Sequence, residues 1–461
     1  MNTWASSLAR ALNLLILTPF ILSYFESSEI SFWFFLVTVS SFTFVFELGF
    51  GPTITRAIAY GFGGADSLKD PKGEGKPNVE FLSNIWRNIG IVYIGLTFLL
   101  LIVLLVMGFF AAEKPISYLP DAAIGWRCWW ITIVGIAVLF FGNLFSVYLQ
   151  GVGKLVLVRR YEALFSLAST LSLVTTIYLG ADLLSIVMLT QFWNVVTVFR
   201  NWNLCRKDPL FNKITYLNSW KIDKNLFGEL WQSSWRSAVG IIMSYGIINS
   251  VLFYYAQSED VEEVGSLLFS YRILQMIITF SMAPFYSKLP ELARLYSVGN
   301  RVELLQIGVK SVRNAHIVFV LLTTLLPFFA PTLLGLIGSK LPFMDADLWF
   351  IFVFAYFFER YGAMHIQLHS VSNNIKWHIA NTVTGIVFFI LILITHGTLG
   401  LYSFPISILL AYLSFYSWYS PILSQGVFKY NWISFEWRSS FRPFLYLVFF
   451  TIVYFIFFDQ R

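Results

Sequence analysis

Apolar runs of about 20 residues, separated by short polar turns, recur along the whole chain. About 20 residues at 1.5 Å rise cover the roughly 30 Å hydrocarbon core of a bilayer, so each run predicts a membrane-spanning helix. Twelve spans are expected near 9–25, 31–56, 86–110, 126–149, 161–180, 183–203, 233–257, 265–287, 315–337, 347–370, 377–396 and 399–423. A shorter thirteenth run, 443–458, suits either a tilted span or an interfacial helix. Met1–Arg10 is too short for a cleaved leader and leads to no small-residue cleavage site, so the first run is expected to be retained.

The polar turns alternate in charge. Of the 31 Lys and Arg residues, 25 fall on one side of this topology, with clusters at Lys154, Arg159 and Arg160 and from Arg200 through Arg236. The opposite turns carry Glu26, Glu29, Glu259, Asp260, Glu262, Glu263, Asp345 and Asp347. The positive-inside rule makes the basic side cytoplasmic, with the N-terminus inside. This placement also accounts for the net charge of +6, so no nucleic-acid partner is implied. Only 12% of residues are charged, against about 25% in soluble domains, and mean hydropathy is +0.70. The chain is therefore an all-α polytopic membrane protein. The two cysteines, Cys128 and Cys205, fall on opposite sides, which argues against a disulfide and against a cysteine metal site.

The basic connection 204–232 divides the spans into two sets of six. Weak matches recur in corresponding places. LQGVGKL (149–155) ends span 4 and LHSVSNNI (368–375) ends span 10; GPTITRAIAY (51–60) ends span 2 and KLPELARLY (288–296) ends span 8. The expected organisation is an N-terminal six-helix lobe, 1–203, the connection 204–232, and a pseudo-symmetric six-helix lobe, 233–423. Residues 424–461 add a basic loop and a further C-terminal helix. Parallel repeats of this kind are one arrangement of secondary transporters, with the site near mid-membrane.

Several residues break membrane rules. Glu47 lies in an apolar run and is followed by Gly49, Gly51, Pro52 and Arg56. An ionised carboxylate in hydrocarbon costs roughly 2.5–3.5 kcal/mol on insertion scales, so Glu47 should face a bundle interior or water. Pro52 should free a carbonyl within the helix, and Pro284 marks a second break or gate. Glu47 and Glu359 are the acidic residues placed well inside spans, and either suits proton or sodium coupling. Arg272 sits about 10 Å into span 8, where it either snorkels outward or turns inward toward an anion. Arg360 lies about 20 Å into span 10 beside Glu359; sequence neighbours on a helix point apart, so each is expected to take another partner. Arg236 and Arg127 stand at span ends, as boundary anchors or head-group contacts. His365 and His369 have metal spacing on one helix face, yet no Glu-rich or Cys-rich companion accompanies them. They are expected to be interfacial, with no metal and no cofactor. There is no GxSxG setting, no Walker loop and no outer loop large enough for a glycosyl-transfer site, so the chain is not expected to be an enzyme.

ELGFGPTITRAIAYGFGGA (47–65), SYRILQMIITFSMAPFYSKLPELARLY (270–296) and the LQGVGK turn (149–154) resemble the polysaccharide-export flippases. These are O-antigen-flippase-like members of the multidrug/oligosaccharidyl-lipid/polysaccharide exporter superfamily. The resemblance extends through about residue 423. It implies two six-helix lobes around a central cationic cavity in the bacterial inner membrane. It also implies alternating-access translocation of an undecaprenyl-pyrophosphate-linked oligosaccharide, an O-antigen or exopolysaccharide repeat unit, with its pyrophosphate near Arg272 and Arg360. Membrane lipid and polysaccharide polymerase or assembly proteins are the implied partners. A cation-coupled small-molecule antiporter of the same superfamily and a membrane glycan polymerase are the competing readings.

Overall fold

In a computed structural model, residues 16–68, 76–216, 223–257, 260–372 and 376–458 are described. Residues 9–15 of the first expected span, and most of the DPKGEGKP turn, lie outside them. Every regular element is helical: α1 (16–24), α2 (Ser27–Phe46), α3 (Phe50–Phe62), α4 (Val79–Met107), α5 (Glu113–Ser117), α6 (Ala122–Gly151), α7 (Leu155–Tyr178), α8 (Leu183–Arg206), α9 (Pro209–Tyr216), α10 (Lys224–Ile241) and α11 (Ile247–Tyr255). The chain continues through α12 (Val261–Ser281), α13 (Ala283–Tyr286), α14 (Leu289–Val298), α15 (Arg301–Leu336), α16 (Ala346–Ser370), α17 (Trp377–Leu399), α18 (Ser403–Ala411), α19 (Ser417–Phe428), α20 (Trp432–Glu436) and α21 (Arg442–Phe457). Single π turns join α4 to α5, α10 to α11, α18 to α19 and α20 to α21. Among the described residues, nine helical segments are long and apolar enough to cross a membrane.

The chain forms two compact units, Met1–Ile242 with Leu252–Val261, and Met243–Val251 with Glu262–Arg461. In the first, α6 packs along α8 and also touches α2, α3, α4 and α7. The second half of α4 presents Phe98, Leu99, Ile102, Leu105 and Val106 outward. So continuous an apolar face is soluble in lipid and not in water. In the second unit α16 is central: Trp349, Phe350 and Ala355, which point to three different sides of the helix, are all buried, as expected of a helix enclosed by others.

Two departures from the sequence reading matter for the site. The expected 31–56 span is two helices, broken at Leu48 (φ 50°) and Gly49 (φ 66°). The left-handed conformation costs a residue with a Cβ about 1–2 kcal/mol, and a Cβ at residue 49 would also overlap Ser237 of α10. Pro52 is the third residue of α3, in the first turn, where helix N–H groups have no intrahelical partner anyway. The break is therefore made by Leu48–Gly49, and Pro52 is accommodated by the new helix. Pro284 likewise lies at the start of α13, just after α12 ends at Ser281.

The other departure is at the C-terminus. The expected 443–458 segment begins eleven residues earlier, at Trp432, and α20, the π turn and α21 make one helix of 26 residues. At 1.5 Å per residue that is about 39 Å, enough to cross the hydrocarbon. Phe435 of α20 joins an apolar cluster with Phe285, Leu292, Leu304, Met364 and Phe428, so the last helix is part of the second unit's core.

Candidate functional site

The helix break fixes the first polar site. Glu47 caps the C-terminus of α2, and its Oε1 accepts hydrogen bonds from Tyr93 Oη of α4 (2.9 Å) and Asn143 Nδ2 of α6 (2.7 Å). Tyr93 is fully buried and its ring packs on Phe140. Both donors are neutral and both use the same oxygen; Oε2 accepts from no described residue. A Cβ at residue 51 would overlap the Glu47 carboxyl group, so Gly51 leaves the space that the carboxylate fills. A half-buried carboxyl group with one oxygen open has the chemistry to take up a proton or a small cation.

Arg236, one residue before the Ser237 that meets Gly49, is exposed and lies over the Trp235 ring at 5.5 Å. Arg127 is exposed near the start of α6. Sixteen residues separate it from Asn143, about 24 Å along the helix, so it is remote from Glu47.

The second unit holds the other site. Arg360 engages Glu359 through Nε and Nη2, one to each carboxylate oxygen. This corrects the expectation that the neighbours take other partners. Their Cβ atoms do diverge, but the guanidinium stem is long enough to fold back alongside the carboxylate. The pair is mostly buried, with 14% of the Arg360 and 13% of the Glu359 side chain exposed. Tyr245, Tyr286, Tyr412 and Tyr416 stand within electrostatic reach of it. One turn earlier on α16, the Tyr356 hydroxyl meets that of Tyr271 on α12 at 2.5 Å, and Gln275 Nε2 donates to Tyr271 at 2.7 Å. Arg272, next to Tyr271, is half-buried. The Arg360 guanidinium and the tyrosines around it are groups that suit an oxygen-rich anion.

His365 and His369 are buried within the protein, and His365 has an acidic companion. Its Nε2 lies 3.0 Å from Glu436 Oε1 of α20, and its Nδ1 lies 2.9 Å from Ser424 Oγ of α19. His369 Nδ1 meets the Leu423 carbonyl at 3.1 Å. The sequence reading starts the last span at 443 and leaves Glu436 in a loop; the mostly apolar Trp432–Phe435 run just before it is the available signal. Among the described residues, no group of three or more His, Cys, Asp or Glu side chains is arranged to hold a metal. Cys128 and Cys205 are both free and buried.

No family model and no curated protein matches the chain. Solved structures do. A multidrug resistance MATE family transporter of the MOP superfamily, in an inward-facing conformation, aligns with a TM-score of 0.69 at 12% identity, over 94% of this chain and 99% of that one. The lipid II flippase MurJ, in an inward closed conformation, aligns with a TM-score of 0.66 at 14% identity, over 99% of this chain and 93% of that one. A MATE structure in a bent conformation gives 0.57 at 14% identity, over 95% of both chains. At these identities the likeness is one of fold: this is an all-α, multi-span membrane protein with the two-lobed architecture of the MATE and MurJ transporters.

Proposed function

We propose that this chain is a flippase that moves a polyprenyl-pyrophosphate-linked oligosaccharide across a bacterial cytoplasmic membrane by alternating access. The observation that carries the reading is the buried Glu359–Arg360 pair among Tyr245, Tyr286, Tyr412 and Tyr416. Guanidinium groups bind phosphate oxygens in pairs, and tyrosines give a glycan both hydroxyl donors and apolar ring faces. The pyrophosphate exchanges with the Glu359 carboxylate on Arg360, and Arg272 supplies a second positive charge. Arg236 and Arg127, both exposed, contact head groups at the two membrane faces. The MurJ-like fold supports a lipid-linked substrate as a class. The resemblance at 47–65 and 270–296 supports an O-antigen or exopolysaccharide unit, with polymerase and assembly proteins as partners.

The direct test is the sidedness of the lipid-linked saccharide in cells lacking the gene, read with an impermeant probe on spheroplasts. Accumulation in the cytoplasmic leaflet is the expected result. Normal arrival outside without extension would assign the chain to polymerisation and overturn the flippase reading. Arg272→Ala should reduce export at least tenfold with the folded yield unchanged; undiminished export would remove Arg272 from the substrate path.

A cation-coupled antiporter is the second reading, and Glu47 favours it: its carboxyl is held by neutral donors with Oε2 open. In the flippase reading the same carboxyl couples export to a proton or sodium gradient. A drug-resistance profile that follows expression, with saccharide sidedness unaffected, would select the antiporter.

A further inference from the structure

In the first unit, the seam between α7 and α8 holds two guanidinium groups whose donors are not all used. Arg200 of α8 is only 7% exposed. Its Nε and Nη2 both donate to Asn201 Oδ1, at 3.1 and 2.9 Å. That occupies one edge of the planar fork. Nη1, on the other side, is buried and has no hydrogen-bond partner among the described residues. The Phe165 ring of α7 backs the group, with its centroid 4.9 Å from Cζ. Arg159, near the start of α7, donates from Nη1 to Glu162 Oε2 at 2.7 Å, and its Nε is also buried without a partner. Glu162 stands within electrostatic range of Arg200 too, so one carboxylate serves two guanidinium groups. Among the described residues, no carboxylate is within ion-pair distance of Arg200 itself. Buried charged donors are seldom left unmatched, and the seam is one anion short.

We propose that the α7–α8 seam binds the headgroup phosphate of an anionic phospholipid, which takes the place of Glu162 between Arg159 and Arg200. Guanidinium groups hold phosphate oxygens through paired N–H donors, and two such groups with spare donors suit one phosphate. The depth is right for a headgroup. Arg200 lies six residues before the end of α8 at Arg206, about 9 Å at helical rise, and Arg159 is in the second turn of α7. Both are therefore near the basic ends of their helices, where headgroups flank the hydrocarbon. The Arg206 guanidinium lies over the Trp202 ring at 4.7 Å, and tryptophan favours that border. Farther along the same two helices Leu164, Leu171, Phe192 and Phe199 are exposed, an apolar surface for acyl chains. A soluble phosphate would make no use of that surface, which favours a lipid as the source of the anion. The exchange forms and breaks no covalent bond. The seam is separate from Glu47 and from the Glu359–Arg360 pair, and does not depend on what the protein transports.

The test is native mass spectrometry of the full-length protein released from detergent micelles, with phosphatidylglycerol titrated in and the dissociation constant of the tightest-bound lipid read out. Phosphatidylcholine and inorganic phosphate are the comparison probes. Arg200→Gln should weaken phosphatidylglycerol binding at least tenfold. Glu162→Gln should tighten it at least threefold, because the competing carboxylate is gone while both cations stay. Arg206→Gln removes a charge on the same face but outside the seam and should change the constant less than twofold. If Arg200→Gln does not fold, Arg159→Gln, at a more exposed position, should weaken binding at least threefold. Binding that is the same in wild type, Glu162→Gln and the arginine variant of the seam would overturn the proposal. So would an Arg206→Gln effect as large as that of the seam variant, which would mean general surface charge, or equal retention of phosphatidylcholine. Inorganic phosphate retained with the same dependence on Glu162, in place of phosphatidylglycerol, would make this a site for a soluble anion and overturn the lipid assignment. No transport enters the measurement, so either outcome is independent of the flippase reading.

Discussion

The two units hold their buried carboxylates in opposite ways. Glu47 takes hydrogen bonds from Tyr93 and Asn143, both neutral, on one oxygen only. Glu359 has both oxygens occupied by the Arg360 guanidinium. A carboxyl group held by neutral donors can gain a proton or a cation without breaking an ion pair. One held by a guanidinium can change state only if its cation is given another anion. The first arrangement suits an ion-coupling group, and the second suits a place where an incoming anion exchanges with an internal one. Glu47 also lies at a helix break with a proline in the following turn, Gly49 before Pro52.

The contrast can be broken most severely at the ion pair. Arg360→Ala leaves Glu359 as an unpaired buried charge, a loss of about 3–5 kcal/mol, and should collapse the folded yield. Glu359→Gln/Arg360→Gln removes both charges and should recover most of the folded protein while export stays abolished. Thermal unfolding in detergent together with the export assay would check this; a double variant as unstable as the single would mean that the pair is not self-contained.

Gly51→Ala comes next. Its Cβ meets the Glu47 carboxyl, and overpacking of this kind costs about 1–3 kcal/mol. A midpoint of unfolding equal to wild type would show that Glu47 has room to move away. Tyr93→Phe removes one hydrogen bond to an anionic acceptor, about 1.5–3 kcal/mol when the carboxyl is ionised and nearer 1 kcal/mol when it is protonated. Its stability loss should therefore grow with pH, a sign that unfolding curves at pH 5 and pH 8 would reveal. Glu47→Gln keeps an oxygen for both donors, so its stability should stay within about 1 kcal/mol of wild type while the response of transport to an imposed ion gradient disappears. Transport by this variant with an unaltered gradient response would exclude Glu47 from coupling.

Much of the fold was legible because a bilayer admits few solutions. Backbone polar groups must be paired internally in hydrocarbon, so each long apolar run has to be a helix. The α4, α6, α7, α8, α16 and α17 helices fall close to the expected runs. Boundaries were less legible where aromatic and polar residues mix. The last helix starts at Trp432 because Phe435 has a core to enter, and no local pattern reports that core. The polar sites follow the same division. The presence of Glu47, Arg272, Glu359 and Arg360 in apolar runs marked them as residues that need partners. The partners themselves, Tyr93, Asn143 and Glu436, lie 46, 96 and 71 positions from the residues they serve.

Composition and hydropathy alone determined that this is a multi-span helical membrane protein, because the transfer energy of about 20 apolar residues outweighs the alternatives at every span. The charges placed within those spans determined where polar chemistry would lie. Only the tertiary structure decided which charges meet. It set Arg360 against its own neighbour, gave Glu47 two neutral donors at a glycine-made break, and brought Glu436 to His365. Those choices depend on rotamers, helix contacts and the space left by single glycines, and short-range forces of that kind act between residues that are distant in sequence.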